Sequence, residues 1–266
     1  MSRIAHLVER AGNGLVLAFA RITLALYVDL RVEGAERLPR AGATVVASRH
    51  YHFLFDALVL LRNTRRPAHF WTAVDWTRAR WERLGMELLC RVTGWPIMLR
   101  VDQYSRPHFS SGHAAYALRE AQPMLRAAVR RAVRILRAGE TLLIFPEAYT
   151  NVDIFPTPKA DGPDFLPFRP GFVKLAQIAE RDDKTHVVII PVGLSYERLG
   201  KTRHPAWLPT FHPMWRITMR FGEPRTLPPS AHPAEVAALR AQIEREVRAL
   251  SEPARVPLAL TRPALG

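Results

Sequence analysis

One cysteine in 266 residues leaves no partner for an internal disulfide and too few thiols for a cysteine-based zinc site. Cys90 lies in the apolar stretch Met86-Glu87-Leu88-Leu89-Cys90 and reads as a small buried hydrophobe rather than a nucleophile. A single thiol fits a reducing compartment. Long apolar runs are also missing. The most apolar window, Leu15 to Val28, is interrupted by Arg21 and falls short of the roughly 20 apolar residues that span a bilayer. The N-terminus shows no cationic region, apolar core and small-residue cleavage site of a secretory signal. Acidic residues are scarce too: 24 Asp and Glu stand against 38 Lys and Arg, a formal charge of +14. Such a surface attracts nucleic acid or an anionic membrane through contacts to phosphate. No nucleic-acid-binding motif or basic–aromatic interleaving is present, so nucleic acid is not the expected partner. Most of the cations are Arg, and part of the excess reads as compositional bias.

What is present is a folding pattern of alternating strands and helices. With 48% hydrophobic residues the chain can bury a sizeable core. Residues 2–30 read as one or two helices broken at Gly12-Asn13-Gly14. Short strands are expected at Leu30–Gly34, at the β-branched run Ala43–Ser48, and near Pro96–Val101. A helix follows at about Phe53–Leu61, and residues 68–92 hold another strand and helix. The segment Ala114–Arg137 reads as helical, with Pro123 as a break or second start, and Gly139 ends it. Its residues Arg126, Arg130, Arg134 and Arg137 form a solvated face. A buried strand at Thr141–Phe145 precedes a Pro- and Asp-containing loop over 151–170. Then come a helix (Gly171–Arg181), strands at His186–Val192 and Met214–Phe221, a helix from about Pro233 to Leu250, and a loose tail. The pattern predicts an α/β protein, one domain with a mostly parallel mixed sheet flanked by helices. N-terminal helices, either interfacial with Arg3, Arg10 and Arg21 available to lipid phosphates or an ordinary part of the core, occupy residues 1–30, the main domain 31–230, and a C-terminal helix and tail 231–266.

Four short segments carry the chemistry. Strand Thr44–Ser48 runs into Arg49-His50-Tyr51-His52, with Asp56 at the start of the next helix. A neutral imidazole can take a proton from a hydroxyl, and a carboxylate on its other nitrogen fixes the tautomer and stabilises the cation. Gly94-Trp95-Pro96-Ile97-Met98-Leu99-Arg100, Phe145-Pro146-Glu147 and Ile190-Pro191-Val192 follow. Taken in this order, the segments resemble the four blocks of the glycerolipid acyltransferase family, whose best-known members acylate 1-acylglycerol-3-phosphate. The resemblance covers roughly residues 30–225.

In that family Asn-His is followed by four residues and then Asp. Here Asp56 lies six positions after His50 and four after His52, so two histidines compete for one role. Strand register favours His50; the shared face of i and i+4 favours His52. The resemblance implies a catalytic group of His50, His52 and Asp56, with acceptor contacts from Arg100, Glu147, Arg169 and Lys174. It implies a pocket shaped by Gly94, Phe145, Pro146 and Pro191. The family's Gly-Thr-Arg after the Glu is replaced by Ala148-Tyr149-Thr150, removing a basic phosphate ligand that Lys159, Arg169 or Lys174 could supply.

The implied activity is O-acylation of a lysophospholipid, lysophosphatidate-like, from acyl-CoA or acyl-carrier protein as co-substrate, with no cofactor and no metal. The implied location is the cytoplasmic face of an anionic membrane, peripheral or monotopic. The altered third block leaves room for an acceptor without a phosphate monoester, such as an amino-acid lipid or glycolipid. A non-enzymatic basic lipid- or nucleic-acid-binding protein is the remaining alternative.

Overall fold

The computed structural model describes residues 3–64, 66–104, 115–153, 157–159, 164–181, 184–199 and 214–253. In chain order its elements are α1 (Arg3–Tyr27), β1 (Val28–Glu33), β2 (Ala43–Ser48), α2 (Phe55–Asn63), β3 (Ala68–Phe70), β4 (Thr72–Ala73), α3 (Arg80–Thr93) and β5 (Ile97–Met98). They continue with α4 (Ala121–Arg137), β6 (Thr141–Ile144), α5 (Gly171–Glu180), β7 (Val187–Arg198), β8 (Trp215–Phe221) and α6 (Pro233–Ser251). Six strands form one sheet in the order β1-β8-β7-β2-β6-β3, and β4 and β5 pair separately. All neighbours in the large sheet run parallel except β7 and β8. The fold is therefore the mostly parallel α/β arrangement that the alternating pattern predicts. The loose tail expected beyond α6 lies outside the described residues.

The period-2 alternation of buried strands sorts side chains onto two faces. Val45 and Ala47 join α4, α5 and α6 in one apolar cluster; Val46 joins α1 and α2 in the other. The four arginines Arg126, Arg130, Arg134 and Arg137 lie exposed on α4, opposite buried Ala128, Ala132, Ile135 and Leu136. Among the described residues no helix is long and apolar enough to cross a membrane.

Three expectations are corrected. Gly12-Asn13-Gly14 does not break the first helix. A Cβ on Gly12 would sit 2.4 Å from the carbonyl oxygen of Val92, so glycine lets α1 press against the end of α3. Asn13 fastens the contact by donating to the carbonyl of Thr93 at 2.9 Å. The second correction concerns α4, which starts at Ala121, so Pro123 falls in its first turn, where no N–H partner is needed. Third, β7 does not stop at Val192. It continues to Arg198, and its second half forms an antiparallel ladder with β8, Val192 opposite Phe221. Gly193 lies inside the strand where α6 packs closely: an added Cβ would meet Leu250 at 2.4 Å.

Candidate active site

β2 delivers the chain to the carboxyl ends of the central strands, where open α/β sheets place their ligands. Beyond Ser48 the segment 49–54 curls around the side chain of Asp56, in the first turn of α2. Asp56 is fully buried and collects four donors. The main-chain N–H groups of Tyr51 and His52 reach Oδ2 at 2.6 and 2.9 Å, Nδ1 of His50 lies 2.9 Å from the same oxygen, and the Tyr196 hydroxyl donates to Oδ1. An oxygen facing two N–H donors can only accept, so the proton between His50 and Asp56 sits on Nδ1. The neutral ring then presents an unprotonated Nε2. Phe145 stacks on the imidazole with centroids 4.0 Å apart and planes within 7°, and the side chain keeps 16% exposure. His50 lines a large cavity.

His52 is placed differently. Its Nδ1 accepts the main-chain N–H groups of Leu54 and Phe55 at 3.2 and 3.4 Å, an end-cap for α2. It does not line the cavity, and its contact with Asp56 is through its backbone. Burial lowers its pKa below the ordinary 6.5, against the pull of Asp56 and Asp153. The unfolded chain therefore takes up a proton at this ring as pH falls through 6.5 while the folded protein resists it, so stability is full above that value and drops below it. Urea midpoints at about pH 7.5 and about pH 5.5 should show this loss, and His52→Asn, which keeps a capping acceptor that does not titrate, should shrink it. An equal loss in the variant would remove His52 as the cause.

Glu147, expected at the acceptor, is 1% exposed and does not line the cavity. Oε1 accepts the N–H of His50 at 3.0 Å, while Oε2 accepts Lys159 Nζ at 2.7 Å and the N–H of Leu166 at 3.0 Å. Lys159 also donates to the carbonyl of His50 at 2.9 Å. A fully buried ion pair thus holds the His50 residue at both its N–H and its C=O. Burial lowers the Lys159 pKa, and Glu147 opposes that shift. Lys159 is accordingly no replacement phosphate ligand.

Arg100 does line the cavity, but its guanidinium is engaged. It grips buried Asp75 through Nε and Nη2 at 2.8–3.1 Å, donates to the carbonyl of Ala148, and stacks over Tyr149 at 4.4 Å. Arg169 lines the cavity too, in a two-point pair with Asp102 at 2.8 and 3.2 Å. Lys174 is exposed at the cavity wall. The expected pocket residues divide: Phe145 and Pro146 line the cavity, whereas Gly94 and Pro191 do not. Gly94 ends α3 in the left-handed conformation, φ 72°, which favours glycine. Pro191 accepts from Gly222 at 2.8 Å just where β8 leaves β7, so its missing N–H leaves no ladder bond unmade.

Ala148 has φ 66°, a region that costs a non-glycine residue about 1–2 kcal/mol. Ala148→Gly should stabilise the protein by up to ~1 kcal/mol once glycine's greater freedom in the unfolded chain is subtracted. A denaturant midpoint that stays put or falls would contradict this strain.

The cavity measures ≈ 1010 Å³ and is walled mainly by apolar side chains, among them Leu15, Phe19, Leu61, Trp95, Phe145 and Leu175. Its polar groups include His50, Arg100, Asp153 and Arg169. That combination accommodates a long apolar chain beside a polar head.

Residues 29–195, more than half of the chain, match the family described as Acyltransferase. The chain belongs to that family. This acyltransferase has no match among curated proteins. Its fold is shared with the crystal structure of the 1-acyl-sn-glycerophosphate (LPA) acyltransferase PlsC from Thermotoga maritima. That likeness has a TM-score of 0.53 at 20% identity and covers 94% of this chain and 83% of that one.

Sequence reasoning did not find two residues of the acyltransferase site. Asp75, the partner of Arg100, follows β4 with no local mark of function, and its only signal is an isolated acid in an apolar stretch. Tyr196 lies 140 residues from Asp56 in a strand expected to have ended already, and it falls one position beyond the family match. Burial, reinforced by the charge of Asp56, raises the Tyr196 pKa, so its hydroxyl stays a donor to the carboxylate.

Proposed function

We propose that the protein is an O-acyltransferase of phospholipid biosynthesis, moving a fatty acyl group from acyl-CoA or acyl-carrier protein to a hydroxyl of a lysophospholipid. The observation that carries this reading is the His50 ring, held by Asp56 through Nδ1 and open to an apolar cavity at its other edge. His50 Nε2 takes the proton of the acceptor hydroxyl as the oxygen attacks the thioester carbonyl. Asp56 stabilises the resulting imidazolium. When the tetrahedral intermediate collapses, the C–S bond breaks and the imidazolium returns its proton to the thiolate. No covalent acyl-enzyme and no metal enter these steps. Holding thioester and hydroxyl together in one cavity supplies the remaining advantage.

Arg169 and Lys174 support an acceptor with an anionic head, as in the acyl-glycerophosphate named for PlsC. A second reading is favoured by the pairing of Arg100 with Asp75 and Arg169 with Asp102, which leaves less free positive charge for a phosphate monoester. That reading takes an acceptor of lower negative charge, an amino-acid lipid or glycolipid.

An anionic leaflet is the proposed location. α1 packs against α3, and the two expose Leu15, Phe19, Ile22, Trp81, Leu84 and Leu88 together with Arg10, Arg21, Arg80 and Arg91. Apolar side chains flanked by cations suit a bilayer interface. Leu15 and Phe19 also line the cavity, so lipid would reach the site from that face.

Purified protein, acyl-CoA or acyl-carrier protein, and a panel of monoacyl lipids test the reading by thiol release and product mass. Turnover on lysophosphatidate supports the first acceptor class, and turnover confined to acceptors without a phosphate monoester supports the second. Absence of thiol release with every pair would sink acyl transfer.

A further inference from the structure

A second concavity, ≈ 560 Å³, lies between α5 and α6 and is not part of the catalytic cavity. Its polar walls are cationic: Lys174 and Arg181 come from α5 and its C-terminal end, Arg240 from α6. None of its lining residues is acidic. Among the described residues Lys174 and Arg181 have no ion-pair partner, and Arg240 donates only to the main-chain carbonyl of Phe168, at 2.9 Å. This sets them apart from the cations described above. Arg49, Arg100, Lys159 and Arg169 each hold a carboxylate already. Among the described residues, positive charge without a carboxylate partner therefore lines this concavity, and it suits an anion.

The groove also has a defined relation to the reaction. Lys174 lines both concavities, so α5 is the wall between them and the first turns of that helix are the crossing point. Lys174 and Arg181 are seven residues apart, about two helical turns or ~10 Å along one face. Cations spread over that distance fit a ligand with separated phosphate groups better than a single phosphate. The volume is that of a small-molecule site rather than of a flat protein contact.

We propose that this groove holds the phosphate-bearing nucleotide end of a coenzyme A thioester. The pantetheine arm passes over α5 beside Lys174, and the acyl group reaches the catalytic cavity. This assignment rests on the acyl-transfer reading and adds the donor and its place.

The test uses Arg181→Gln alone and with Arg240→Gln; neither residue lines the catalytic cavity. Donors are acyl-CoA, the same acyl group on pantetheine, which carries no phosphate, and the same acyl group on carrier protein. The double variant should raise KM for acyl-CoA about tenfold, as expected for lost charge-assisted contacts, with KM for acyl-pantetheine moving less than about twofold. Added salt should raise the wild-type KM for acyl-CoA and leave that for acyl-pantetheine unchanged. Arg181→Gln changes an exposed side chain outside the core, so it should give the same selectivity at smaller size with an unaltered thermal midpoint. The proposal is overturned if KM for acyl-CoA is unchanged, if both small donors weaken equally, or if only the carrier-protein thioester weakens. Failure of the underlying reading looks different: wild-type protein then consumes none of the three donors.

Discussion

His50→Ala should lower acyl transfer about 10³-fold, within the range contributed by a positioned general base, while leaving the unfolding midpoint nearly in place. The contrast with the neighbouring histidine makes the measurement decisive. His52 caps α2 and stays out of the cavity, so His52→Ala should cost about 1 kcal/mol of stability and keep most of the turnover. Asp56→Asn should also lower turnover. The amide oxygen takes the place of Oδ2, accepting the N–H groups of Tyr51 and His52 and Nδ1–H of His50, but it no longer carries the negative charge that stabilises the imidazolium. Steady-state rates on the three variants, with unfolding curves on the same preparations, check the whole set. If His52→Ala loses the activity and His50→Ala keeps it, the assigned base is wrong.

Glu147→Ala should be the most destabilising single replacement at the site, at about 3–5 kcal/mol. It strands the buried Lys159 ammonium and leaves the N–H groups of His50 and Leu166 without their acceptor. Turnover should fall as well, because the His50 backbone loses its anchor. Removing both charges with Glu147→Leu and Lys159→Met should recover much of the stability, since two apolar groups leave no uncompensated ion. Urea unfolding reads the first effect. The second reading is KM for the lipid acceptor in the folded fraction, which should change little, since Glu147 does not line the cavity. A large rise in acceptor KM with normal stability would restore Glu147 to the role of acceptor ligand.

Much of this architecture was legible in the sequence. β2 and β6 are short apolar runs between turn signals, and a strand leading into His50 with Asp56 in the next helix places a site by topology alone. The choice between His50 and His52 was not local. It depends on which ring the stacking Phe145 meets and which nitrogen the start of α2 uses, and both come from tertiary packing. Arg100 and Glu147 were found as important positions, but their partners within the protein were not. Nothing near either residue announces Asp75 or Lys159, which reach them from other parts of the chain. Gly12 reads as an interruption but, like Gly193, is a place where another backbone comes too close for a side chain.

The hairpin of β7 and β8 has a consequence for the life of the polypeptide. His50 and Asp56 leave the ribosome early, yet the residues that finish their setting are made much later: Glu147, then Lys159, and last Tyr196, which needs β7 seated between β2 and β8. A nascent chain therefore carries His50 and Asp56 long before their setting exists, and the last of its contacts, from Tyr196, waits for the far half of the sheet.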